Sequence, residues 1–254
     1  AGAGPQPISI ELFEILEIAK EVSAASDGAF DVSFHAVGSL WKFTPGSTPP
    51  AKTAILQRLA LVDHTKIVLD KSNGTVSLTL PGMALGLGAI AKGYAVDRAV
   101  AVMRAHDFNN VIVEGGGDVY LSGSKGDISW HVGIQDPLQK GAIGTLNVRD
   151  QAVVTSGNYQ RFFEYQGTKY AHILDPSTGY PVPYDRSPRS VSVVARDTAR
   201  ADAYATALAV MGAERGIKFA ATVPSLDAAL AAATRPASAT PAPPRRPPPP
   251  PRPP

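Results

Sequence analysis

Between residues 110 and 194 the chain cannot run straight for long. Turn-forming clusters recur at Ser124-Lys125-Gly126-Asp127, Asp136-Pro137, Ser156-Gly157-Asn158, Gln166-Gly167 and Asp175-Pro176, and short β-prone runs lie between them. Such punctuation leaves room for strands but not for crossover helices, so it dictates a meander of mostly antiparallel strands. Helical periodicity lies outside this block. Ile8, Leu12, Ile15, Leu16, Ala19 and Val22 recur at helical spacing from about Ser9 to Asp27-Gly28. A long Ala/Val-rich helix is expected over about 89–106, and a last one from Asp197 or Thr198 to Met211, closed by Gly212. A weaker helix fits 51–62, with Ser47-Thr48-Pro49-Pro50 as its cap and first turn. Residues 66–70 and 75–80 flank Ser72-Asn73-Gly74 as a hairpin. The stretch 30–43 (FDVSFHAVGSLWKF) reads as a strand or extended loop. Strands run together and helices stand apart, which is the α+β pattern.

Composition narrows the function classes. Eleven of the 23 prolines and four of the 24 Lys+Arg lie in residues 235–254, which hold no Asp or Glu. The rest of the chain is therefore slightly acidic, and the net charge of +2 belongs to the tail. A nucleic-acid partner is not expected on that balance. Absence of Cys excludes disulfides, thiolate metal sites and Cys nucleophiles. Apolar runs are too short to cross a bilayer as a helix. The organisation expected is a flexible N-terminus over 1–7, one folded domain over 8–234, and a disordered Pro/Arg-rich tail over 235–254.

Several segments could carry chemistry. Gly86-Leu87-Gly88-Ala89-Ile90-Ala91-Lys92-Gly93 feeds a helix whose N-terminal N–H groups suit a phosphate, with Lys92 as an added charge; a tight turn with a solvated Lys fits the same residues. Asp202 and Thr206 are i,i+4 on the last helix, so their oxygens share a face and could meet a hard cation; a capping Asp is the plainer alternative. His172 precedes a DPSTG turn in which Asp175 could simply cap itself. EGGGD at 114–118 permits close approach of a ligand or only a sharp turn. Thr155-Ser156-Gly157 lacks a His/Asp relay at recognisable spacing, and the other histidines show no zinc-ligand spacing.

In order, FDVSFHAVGSLWKF, LGAIAKGYAVDRA, VIVEGGGDVYLSG, WHVGIQDP, VVTSGNYQRFFEYQGTKYAHILDPSTGYP and ADAYATALAVMG resemble the ApbE family, the FAD:protein FMN transferases, over residues 8–221. The resemblance implies an α+β, T-fold-related domain with a mostly antiparallel or mixed sheet and packed helices. It implies a Mg²⁺-dependent enzyme (Ca²⁺ or Mn²⁺ being alternatives) that splits FAD, joins FMN through a phosphoester to a Thr or Ser of an acceptor flavoprotein, and releases AMP. Acceptors would be subunits of quinone-reductase or Rnf type. Location would be periplasmic or otherwise extracytoplasmic, with membrane association only through the acceptor or an anchor outside this sequence. By the same resemblance Ala89, Asp202, Ala205 and Thr206 would hold the metal. Trp41, Lys42, Phe43, Gly86, Lys92 and Ile173 would contact FAD. His172 and Asp202 would serve catalysis. Gly86 departs from the family, which usually carries Asp there, and the closing strand expected after the last helix is read as replaced by the tail. An FAD pyrophosphatase and an inactive flavin-binding protein are the alternative functions.

Overall fold

The computed structural model describes residues 4–157, 161–184, 187–224 and 226–231; the proline-rich segment read as a disordered tail lies outside the described residues. The chain opens with β1 (Gln6–Pro7), so the segment read as flexible up to residue 7 is held from Gln6 onward by pairing with Val76 and Thr75. Ser9 caps α1 (Ile10–Ala25), its side chain accepting from Leu12 N. Next come a 3₁₀ turn (Val32–Phe34), α2 (His35–Gly38) and α3 (Lys52–Leu59). Stretch 30–43 is thus helical at its centre, not extended: Asp31 caps the turn by accepting from Ser33 N at 2.7 Å, a local bond that a strand would forgo. No side chain caps α3, whose N-cap is Ala51, so the Ser47–Pro50 start is displaced.

β2 (Ile67–Asp70) and β3 (Thr75–Leu78) form the expected hairpin, in which Asp70 accepts from Ser72 and Asn73 and Gly74 takes φ 62°. Then α4 (Ala91–Ala105) leads into β4 (Val111–Gly115), β5 (Asp118–Ser122), β6 (Trp130–Gln135), β7 (Ala142–Val148), β8 (Gln151–Gly157), β9 (Phe162–Tyr165), β10 (Thr168–Ala171) and β11 (Ser190–Ala195). α5 (Thr198–Ala220) and β12 (Asp227–Ala231) follow. α5 outruns its expected stop at Gly212. That glycine breaks the helix geometrically (φ 78°, ψ 174°), but a second helical stretch continues beyond it. The last strand is likewise present: β12 pairs with β11 over five residues, so the expectation that it is lost is corrected.

The main sheet has the order β12-β11-β8-β5-β4, and each neighbouring pair is antiparallel. Side chains alternate across it. Tyr120, Ala152, Val154, Val191 and Val193 point to α1, α4 and α5 in the largest core. Leu121, Val153 and Val194 point the other way, against Ile134 and Val148 of the β6–β7 ribbon. α5 enters this core largely through small side chains: Ala199, Ala201, Ala203, Ala205 and Ala207 are all fully buried.

A second, smaller core surrounds Trp41. Its indole stacks on Phe43 (centroids 6.2 Å apart) and meets Phe163, Tyr170 and Tyr180. Its Nε1–H donates to the Gly179 carbonyl at 3.0 Å. Gly179 needs to be glycine twice over: φ is +73°, and a Cβ would lie 2.8 Å from Ile55. The DPSTG segment therefore has structural work, with Asp175 Oδ1 accepting from Ser177 N at 2.8 Å. Trp41→Ala is expected to cost about 3–5 kcal/mol, the usual loss for a buried aromatic, seen as a lower urea midpoint with an unchanged slope.

Candidate active site

The polar centre lies where two helices begin. α4 and α5 abut so closely that a Cβ on Gly93 would stand 2.3 Å from the Thr198 carbonyl oxygen. Only glycine permits that backbone approach. It puts Asp202, in the second turn of α5, beside the first turn of α4: Asp202 Oδ2 lies 3.4 Å from Gly93 N. Asp97 of α4 reinforces the contact by accepting from Thr198 N (2.8 Å) and Ala199 N (2.9 Å), while Asp197 accepts from Arg200 N (2.9 Å). The free N–H groups at the start of α5 are thereby consumed, and that terminus is closed to an anion. Burial, partly offset by the two backbone donors, pushes the Asp97 carboxyl upward. The N-cap residue of α4, Ile90, offers no side-chain cap; Ala91 N donates instead to Leu87 O at 2.8 Å and Gly93 N to Asp202, so a carboxylate already sits at the positive end of α4 beside Lys92.

Lys92 ties the centre together. Its Nζ is 2.8 Å from Asp118 Oδ2 and 3.0 Å from both carboxylate oxygens of Asp202. Both acids are only 2% exposed, while the Lys92 side chain is 44% exposed. The ammonium is thus the charge presented to a visiting ligand, and the carboxylates are its backing. Burial opposes the charged lysine, but Asp202 and then Asp118 outweigh it and hold its pKa above the ordinary value. One ammonium cannot fully compensate two acids. Burial first, and the Asp202 charge second, push Asp118 up to about 7.

That shift has a signed consequence. An acid whose folded pKa is raised binds more protons in the native state than in the unfolded one. It therefore costs stability as pH climbs from about 4 to about 7. Metal-free protein is expected to lose thermal stability over that window, and Asp118→Asn to flatten the loss; melting curves in EDTA at pH 5 and pH 8 check it.

Asp118 was not among the residues singled out for a role, although the EGGGD segment was. The glycines explain the geometry. Gly116 and Gly117 take φ 63° and 93° to close the β4–β5 hairpin, and a Cβ on Gly116 would come 3.4 Å from Lys92 Cδ. The lysine stem lies across the glycine turn. A glycine run ending in a carboxylate at a strand start was the signal available.

Other candidate residues are placed differently. Thr206, one turn after Asp202, is half-buried, whereas Ala205 is fully buried within α5 and can offer only backbone. Ala89 lies in the uncapped turn before α4, three residues ahead of Lys92. Gly86 is used in packing: its N–H donates to Val32 O at 2.8 Å, and a Cβ would lie 2.9 Å from His35 Cβ. Ile173 is half-buried against the main core and accepts from Val182 N at 2.9 Å. Trp41 is 6% exposed and spent in the small core, leaving half-buried Phe43 and exposed Lys42 nearer the surface. Lys42 lines an open cavity of about 490 Å³ with Leu40 and the loop 44–50.

His172 follows β10. Its Nδ1 is 3.3 Å from the Arg161 carbonyl oxygen. A carbonyl only accepts, so Nδ1 carries the hydrogen and Nε2 the lone pair. Burial pushes its pKa down, which keeps the ring neutral and Nε2 unprotonated at neutral pH.

Helices on one face of an antiparallel sheet, with a lysine at the start of α4 between one buried acid of α5 and one at the start of β5, define an α+β domain built around a half-exposed cation. The ApbE family profile matches residues 1–230. The FAD:protein FMN transferase of Klebsiella pneumoniae (strain 342) is 36% identical over 219 residues, covering 85% of this chain and 67% of that protein. The Treponema pallidum (strain Nichols) FAD:protein FMN transferase is 37% identical over 246 residues, covering 90% and 67%. Among solved structures, the ApbE protein of Thermotoga maritima superposes with TM-score 0.81 at 34% identity, covering 90% of this chain and 75% of its own. The flavin transferase ApbE of Vibrio cholerae gives 0.75 at 26%. This chain belongs to the ApbE family, and it spans about two thirds of the length of those two curated relatives.

Proposed function

We propose that this protein is an FAD:protein FMN transferase. One observation supports the reading most: the LGAIAKG segment and the D-A-x-A-T segment, 110 residues apart, meet through the Lys92–Asp202 contact at 3.0 Å. In the reaction an acceptor Thr or Ser oxygen attacks the FMN phosphorus of FAD, the pyrophosphate P–O bond breaks, AMP leaves, and the hydroxyl proton passes to a base. Phosphoryl-type transfers need positioning and charge neutralisation more than covalent help.

Each residue then has a task. The half-exposed ammonium of Lys92 meets the diphosphate. His172 Nε2, unprotonated, takes the proton of the acceptor hydroxyl. The side-chain donors here, a buried carboxylate with a hydroxyl one turn on, are hard oxygens and suit Mg²⁺. Asp202, Thr206 and the backbone of Ala89 and Ala205 are the residues that would hold it, and it would neutralise charge on the phosphate oxygens and leaving group. An acceptor of quinone-reductase or Rnf type outside the cytoplasmic membrane belongs to the same reading and rests on the family resemblance.

The test is incubation with FAD, MgCl₂ and a D-G-x-T-[SG]-A-T-type acceptor peptide. AMP release together with an FMN mass shift on the peptide is the expected result. AMP without the shift would make the protein an FAD pyrophosphatase. Bound FAD with neither product would make it a flavin-binding protein.

A further inference from the structure

We infer that Asp118 is a positioning residue: together with Asp202 it holds the Lys92 ammonium from two sides and so fixes the place from which the cation meets the diphosphate. The inference rests on the proposed function, because it concerns how the same site receives FAD.

An ammonium has three N–H donors and no acceptor. Two acids compete for those of Lys92, one contact going to Asp118 and two to Asp202. With Asp118 removed, the acid left beside the ammonium is Asp202. The 2.8 Å contact is then lost, and a half-exposed ammonium on a flexible four-carbon stem is no longer held from two sides. The cation would then swing about Asp202 and lose the fixed place from which it meets the diphosphate. Asp118 is well built for the opposing pull. Its carboxylate is buried at the first residue of β5. Its hairpin is fixed by the Glu114 Oε1 to Gly117 N hydrogen bond at 2.7 Å and by the Gly115–Asp118 pairing. A rigid strand end thus sets the place of a flexible side chain, and Gly116 leaves the groove in which its stem lies.

Simple electrostatics and positioning give opposite signs, which makes the inference testable. FAD is an anion, so deleting a nearby carboxylate would tighten its binding if charge alone mattered. Positioning demands the reverse. FAD binding is measured by flavin fluorescence in EDTA, without acceptor, for the unaltered chain, Asp118→Asn, Lys92→Gln and the double variant. Expected is a loss of roughly tenfold for Asp118→Asn, the scale of one charge-assisted hydrogen bond. Lys92→Gln should lose at least as much, and the double variant no more than Lys92→Gln alone, because Asp118 acts through the lysine. Equal or tighter binding by Asp118→Asn overturns the role, and so does a full additive loss in the double variant. If Asp118→Asn does not fold, Asp118→Ser is judged by the same criterion. Failure of the unaltered chain to bind FAD removes the proposed function and this role together; binding that Asp118→Asn leaves untouched removes this role alone.

Discussion

Gly93→Ala is expected to lower the melting temperature by roughly 6–12 °C, the equivalent of about 3 kcal/mol in a domain of this size. The added methyl carbon would lie 2.3 Å from Thr198 O, 2.6 Å from Thr198 C and 2.9 Å from Ala199 Cα. All three obstacles are backbone, at the first turn of a helix pinned by Asp97 and Asp197. No rotamer change relieves the clash, so α4 and α5 must separate, and the separation lengthens the Lys92–Asp202 contact directly. Gly88→Ala is the control. A Cβ there meets nothing within 4 Å, and the change should stay within about 1 kcal/mol. Scanning calorimetry of both variants decides the matter. A Gly93→Ala protein that melts with the unaltered chain would mean that the helices do not touch as described.

Much of this architecture was legible because local and global signals agree. Ser9 before α1, Asp197 before α5 and Asn73-Gly74 in the first hairpin each specify a boundary through their own hydrogen bonds. The turn clusters from 124 to 176 gave the meander. Readings failed where tertiary contacts decide. Residues 30–43 look extended by composition, yet Asp31 uses one carboxylate to hold Ser33 and, at 2.9 Å, the backbone of distant His64. That second bond is invisible in a local reading. Gly212 was a stop signal and does break the helix, but nothing nearby prevents the chain from re-entering helical geometry.

The site was legible as separate words and not as a sentence. Lys92 and Asp202 could be named from the resemblance. Their contact could not be derived from spacing, because it depends on Gly93 admitting the Thr198 backbone, and a glycine's reason lies in what it faces. Asp118 stayed out of view for the same cause: its role exists only once Gly116 and Gly117 fold β5 back toward the lysine. For Trp41 the resemblance names a flavin contact, and the structure adds what no spacing shows: its indole is hydrogen-bonded to Gly179 and packed among four rings.

Asp202→Asn should reduce AMP release from FAD by at least about 10²–10³-fold, the range for losing one preorganised electrostatic group at a reacting phosphate or carbonyl, with little change in fold. The argument has two halves. Asparagine has the shape of aspartate, and its Oδ1 can still accept from Lys92, so helix contact and burial persist; Ala201, Ala203 and Ala205 on either side keep their packing. What disappears is the negative charge, and with it the only buried carboxylate of α5. Of its two charged partners Lys92 then keeps Asp118, and the hard-oxygen set that suits Mg²⁺ loses its charged member. Thr206→Val, which removes a neutral oxygen one turn away, is expected to cost less. Far-UV circular dichroism and melting curves establish the fold, and AMP is followed at saturating FAD and MgCl₂. Turnover by Asp202→Asn within threefold of the unaltered chain would sink the assignment of Asp202 to the reacting centre, and with it the proposal that the abutting helix starts are where the pyrophosphate is cut.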